Sequence, residues 1–139
     1  MGTSRILLCL GLVVGAFSMW DTLAHTWDPA FNAPALALGA THTNYHAFRE
    51  FTLSLGAVIV LLYGMFQPTP RRSQTLWIVM LIMALCYYGG WWLPGPIFGL
   101  YAPNRGALIT HLIATIFTLA SVALAWRHFS TVSGKDGRP

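Results

Sequence analysis

QTLWIVMLIMALCYYGGWWL, residues 74–93, contains no charged side chain. At 1.5 Å per residue, a helix of about 20 residues spans about 30 Å, the thickness of a bilayer's hydrocarbon core. Pro94-Gly95-Pro96 follows and stops the run. Three similar runs lie around it, from Ile6 to about Ala24, from about Tyr45 to Phe66, and from Gly106 to Trp126. Pro68 and Pro70 end the second, and Asn104 is placed to cap the fourth. The pattern predicts an all-α integral membrane protein, an up-down bundle of four transmembrane helices over residues 1–139. Outer loops fall at about 25–44 and 94–105, an inner loop at about 67–73, and a polar tail at about 129–139.

Composition agrees with this fold class. Of 139 residues, 55% are apolar and 9% are charged, against about a quarter charged in soluble domains. Twelve charged side chains, eight basic and four acidic, cannot clothe a soluble globule of this length. The net charge of +4 comes from scattered cations without a basic stripe, which excludes nucleic acid as a partner. Cys9 and Cys86 lie inside apolar runs, where thiols behave as small hydrophobes.

The cations also predict orientation. With the N-terminus inside, Arg5, Arg71, Arg72, Arg127, Lys135 and Arg138 are cytoplasmic, and Arg49 and Arg105 are outside. By the positive-inside rule, both termini are expected on the cytoplasmic side of a bacterial inner membrane. Asp21, Asp28 and Glu50 fall outside and Asp136 inside. Arg5, the apolar run and Val14-Gly15-Ala16 also resemble a cleavable signal peptide. Retention of the first helix is the expectation, because the apolar stretch continues past Ala16.

Ionisable groups at membrane depth are costly unless they face a protein interior or water. Asp21 lies 16 residues after Arg5, Glu50 18 before Pro68, and His111 16 before Arg127. All three therefore fall roughly 24–27 Å from the inner boundary. His25 follows Asp21 by four residues and His46 precedes Glu50 by four, so each pair shares a helix face. His42 stands a turn further out if the second helix begins that early. Tyr87, Tyr88, Trp91 and Trp92 reach a similar height on the third helix.

Imidazole with carboxylate suits a transition metal such as zinc, iron or copper. The metal-ligand candidates are His25, His42, His46, His111 and Glu50. The same groups can perform acid–base work without metal, with Asp21, Glu50 and His111 as the catalytic candidates. Tyr87 and Trp91 are expected to line the pocket for a cofactor or a small lipophilic molecule. A plainer account of each residue is hydration at the interface, with Arg49 and Arg105 nearby. Haem is disfavoured, because no attachment motif exists and the histidines lie near the surface rather than at mid-span. His128, beside Arg127, reads as an interfacial anchor.

Both outer loops are apolar for aqueous loops, with Trp27, Phe31, Leu36 and Leu38 in one and Ile97, Phe98, Leu100 and Tyr101 in the other. They suit either a lid over the polar layer or a contact surface for a partner. Gly11 and Gly15, four apart, suit close helix contact. The stretches His25-Thr-Trp-Asp-Pro29-Ala-Phe31 and His42-Thr-Asn-Tyr45-His46, with Pro94-Gly95, resemble an uncharacterised family of small four-helix integral membrane proteins. That family carries His-x-x-aromatic-His at the start of its second helix. The likeness covers about a quarter of the chain. It implies that His25, His42 and His46 belong to one feature, and it implies no activity. Two functions follow as expectations. One is a metal-binding, acid–base or redox site for a small lipophilic molecule. The other is a non-catalytic accessory subunit that contacts other membrane subunits, or further copies of itself, through its apolar and aromatic surfaces.

Overall fold

The structure, a computed structural model, describes residues 1–28, 42–99 and 101–129, without the side chains of His42 and Asn44. It is all-helical, with α1 at Gly2–Ala24, α2 at His42–Phe66, α3 at Gln74–Trp92, a short α4 at Pro94–Phe98 and α5 at Arg105–Ala125. Single 3-10 turns cover Thr69–Arg71 and Trp126–His128. Among the described residues four segments are long and apolar enough to cross a membrane: Gly2–Ala24, Tyr45–Phe66, Gln74–Phe98 and Arg105–His128.

Local chemistry sets the helix ends. The Ser73 hydroxyl accepts from Leu76 N at 3.1 Å and caps α3, and Asn104 Oδ1 accepts from Ala107 N at 2.9 Å and caps α5, as the sequence predicts. Pro68 removes a donor and disfavours helical backbone at Gln67, so α2 stops at Phe66. Residues 94–98, expected as loop, form α4 instead. Pro94 opens it, and Gly99, at φ 70°, closes it in the left-handed region that suits glycine. The second helix begins at His42, three residues before the expected Tyr45, which brings His42 into its first turn.

The long helices close a ring in which α1 packs on α2 and α5, and α3 packs on α2 and α5. Each neighbouring pair is antiparallel. Arg5 meets Met65, Gly64 meets Met80, Trp77 meets Val122, and Ser4 meets Ser121. The α1–α5 seam is the most extensive. Small residues recur along it every seven positions of α1. Ser4 O accepts from the Ser121 hydroxyl at 2.6 Å, Gly11 lies against Ala114 and Thr118, and Ser18 meets His111. A Cβ at Gly11 would stand 2.5 Å from Thr118 Oγ1 and 3.1 Å from Ala114 O, so glycine there allows the two backbones to touch.

The interior differs between the two ends of the bundle. Where α1 begins and α5 ends it is apolar, built from Leu8, Leu12, Leu61, Met65, Met80, Ala84, Val122 and Ala125. Phe129 completes this cluster at 1% exposure, although the sequence assigns it to the solvated tail. The 3-10 turn at Trp126–His128, with Phe129 N bonded to Trp126 O at 3.0 Å, returns the ring to the core. Toward the opposite end, polar and aromatic side chains fill the interior. Outward-facing apolar residues such as Val13, Phe17, Leu53, Ile59, Ile82 and Leu124 are all more than half exposed. Such exposed apolar surface suits a bundle surrounded by an apolar medium.

Candidate functional site

At the end where α1 finishes and α2 begins, all four long helices contribute to one level. The Ser18 hydroxyl and His111 Nε2 form a hydrogen bond of 3.1 Å across the α1–α5 seam. The His111 ring stacks on Trp91, centroids 4.2 Å apart and planes inclined by 23°. One turn along α5, Thr115 Oγ1 donates to His111 O at 2.7 Å and accepts from Trp92 Nε1 at 2.9 Å. Below that, buried Tyr88 and Thr118 share a 2.9 Å hydroxyl–hydroxyl bond. Tyr87, Tyr88 and Trp91 pack ring against ring, with centroids 4.9–5.3 Å apart. Every polar bond named here joins two helices or satisfies a group that does, so the level is rigid as well as polar.

Trp91 is also a wall of a second feature. Between α2 and α3 lies a cavity of about 730 Å³, bounded by Glu50, Leu53, Ala57, Val60, Met83 and Tyr87, among others. Gly56 and Gly90, on facing helices, line it, and a Cβ on either would meet nothing within 4 Å. The missing side chains leave the space open. The hydroxyls of Thr52 and Ser54 donate to carbonyls four residues back in α2, Phe48 O at 3.0 Å and Glu50 O at 2.9 Å. The main polar groups left to the cavity are the Glu50 carboxylate and the Tyr87 phenol, which lies within Coulombic reach of Glu50 and hydrogen-bonding reach of Ser54. Glu50 is the one charged residue of the lining.

The expected site residues are thus only partly assembled. Glu50, Tyr87 and Trp91 line one cavity, whereas His111, stacked on Trp91, is not among its lining residues. His25 pairs with Asp28 rather than with the expected Asp21, Nδ1 to Oδ2 at 3.8 Å, because the chain leaves α1 at His25 and turns Asp28 back toward it. Asp21 is exposed. His46 is exposed and sits edge-on to Tyr45 with centroids 5.6 Å apart. The side chain of His42, and residues 29–41 of the loop expected to serve as a lid or a partner contact, lie outside the described residues, as does Leu100. Among the described residues no three of His, Cys, Asp and Glu gather to hold a metal ion. Equal depth on separate helices is not convergence, because each residue's azimuth around its helix decides what it meets.

Sequence reasoning placed Tyr88 and Trp92 at this height without a role, and did not single out Ser18, Thr115 and Thr118. Their signal is the spacing of small and hydroxyl residues, Ser4, Gly11 and Ser18 on α1 and Thr115, Thr118 and Ser121 on α5, which marks the faces that meet. Comparison of the chain with family models, curated proteins and solved structures gives no match. The class defined by fold and site is therefore a four-helix bundle able to cross a membrane, with a polar, aromatic interior toward one end.

Proposed function

We propose that this chain is an integral membrane protein that takes a small lipophilic molecule into the α2–α3 cavity and holds or deprotonates its polar group at Glu50 and Tyr87. The observation that carries the reading is the cavity itself, apolar along most of its length and bearing a single carboxylate and a phenol. A carboxylate accepts hydrogen bonds, so the complementary ligand carries a hydroxyl, phenol or amine on an apolar body. The cavity lies between two helices whose neighbouring outward residues, Leu53 and Ile82 among them, are exposed. Entry is sideways from the apolar phase. Trp91, stacked on His111, forms one wall of the cavity and limits the ligand's depth. Acid–base chemistry fits this arrangement better than metal chemistry, since His111 is not among the residues that line the cavity with Glu50.

The test is solvent extraction of protein purified in native lipid discs, followed by mass spectrometry of the small molecules released. Wild-type protein yields a lipophilic species in near-stoichiometric amount, and Gly90→Leu, which fills the cavity, yields little of it. Equal recovery from both proteins would sink the reading. Stoichiometric co-purification of a larger membrane complex, with no such species, would favour the accessory-subunit alternative.

A further inference from the structure

At the opposite end of the bundle the charges of the described residues have one sign. Arg5, Arg71, Arg72 and Arg127 lie where α1 begins, α2 ends and α5 ends, whereas Asp21, Asp28 and Glu50 all lie at the other end. Two of these arginines are drawn together on the last turn of α2. Arg5 donates from Nε to Met65 O at 3.2 Å and rests its guanidinium over the Phe66 ring at 4.9 Å. Arg72 donates from Nε to Gln67 O at 3.0 Å. The acceptors are two residues apart in the chain, so two cations converge on one helix terminus.

Carbonyls and the dipole of that terminus supply about half a negative charge, against two full positive ones. Arg72 is 8% exposed, and its pKa is held below the usual arginine value by burial and then by the charge of Arg5. His128, whose Nε2 lies 2.7 Å from Met1 N, is within Coulombic reach of Arg72. Among the described residues no carboxylate pairs with either arginine. Among the described residues each guanidinium hydrogen-bonds to the protein through its Nε, leaving its two-pronged Nη edge for another acceptor. Beside them, Gln67 is 7% exposed, and its Oε1 is a buried acceptor without a donor among the described residues.

We propose that Arg5 and Arg72 form a binding site for the phosphate of an anionic phospholipid whose headgroup also carries a hydroxyl or amine donor for Gln67. The chemistry is that of a phosphate diester. Two guanidinium groups match its non-bridging oxygens by charge-assisted hydrogen bonds and lose their mutual repulsion when it binds. The site stands at the mouth of the long apolar helices, the height at which phospholipid phosphates lie beside a spanning bundle. It shares no residue with the α2–α3 cavity and stands or falls independently of it.

The test uses the full chain in detergent with native mass spectrometry, titrated separately with phosphatidylglycerol, phosphatidylcholine and inorganic phosphate. Wild-type protein should retain phosphatidylglycerol at least about tenfold over phosphatidylcholine, the discrimination expected of a paired charge-assisted site. Arg5→Gln and Arg72→Gln should each remove most of that preference. Arg72→Lys, which keeps the charge but loses the planar fork, should remove part of it and guards against a misfolded Arg72→Gln. Arg71→Gln, at the exposed neighbouring cation, should leave it unchanged. Equal retention of the two lipids would overturn the proposal. So would wild-type behaviour of both glutamine variants, or a loss in Arg71→Gln matching theirs, which would mean diffuse attraction. Displacement of the lipid by millimolar inorganic phosphate would assign the site to the free ion and overturn its assignment to lipid.

Discussion

His111 lies flat against Trp91, ring centroids 4.2 Å apart, and the same indole forms a wall of the α2–α3 cavity. The contact joins the cavity to the α1–α5 seam, since the far side of His111 is held by Ser18. Anything that shifts His111 should therefore be felt in the cavity. His111→Ala removes both the ring stack and the Ser18 bond, and should cost about 1–2 kcal/mol in reversible unfolding in mixed micelles. His111→Phe keeps a ring and should recover about half of that. Identical losses for the two variants would show that the stacking contributes nothing.

Close approach of α1 and α5 depends on Gly11. In Gly11→Ala the new methyl meets Thr118 Oγ1 and the backbone of Ala114, so the helices must separate, at a cost of about 1–3 kcal/mol. Gly64→Ala also makes a short contact, 2.5 Å, but with Met80 Sδ, which belongs to a flexible side chain. It should be the milder variant when midpoints of thermal unfolding are compared. The reverse ranking would disprove this account of the seam.

Tyr88 and Thr118 are a buried pair whose hydroxyls have each other. Tyr88→Phe keeps the ring contacts and deletes one hydrogen bond. Interhelical bonds of this kind contribute about 0.6 kcal/mol on average and up to about 1.7 in membranes. Tyr88→Phe with Thr118→Val should be less than additive by a similar amount. Strict additivity in the double-mutant cycle would mean that the pair is not coupled.

Cys86 is exposed and lines the cavity, whereas Cys9 is exposed on α1 and lies away from it. N-ethylmaleimide delivered through the membrane should label both thiols. Gly90→Leu should slow labelling at Cys86 several-fold and leave Cys9 unchanged, as read by peptide mass spectrometry. An unchanged rate at Cys86 would mean that the space does not persist in the folded protein.

Phe129 closes the apolar core although it follows the last helix. Phe129→Ala should destabilise by about 3–5 kcal/mol, the range for burying and then removing a large aromatic ring. A loss below about 1 kcal/mol, as for a tail residue, would contradict its burial.

Four apolar runs of membrane-spanning length, their proline and capping boundaries, and the segregation of cations from acids were all legible in the sequence. Each depends on local composition or on rise along one helix. The level of Glu50, Trp91 and His111, though not the part of Ser18 in it, was legible for the same reason, since counting residues gives height. What each side chain meets at that height depends on how four helices rotate about their axes and which are neighbours. Tertiary packing alone decided that His111 faces Ser18 and Trp91 rather than Glu50, and that His25 turns to Asp28. It also decided that Gly56 and Gly90 face one empty space and that Arg5 and Arg72 share the end of α2. Azimuth is set by the fit of small residues at the α1–α5 seam, and such fit is a property of two surfaces that no single helix carries.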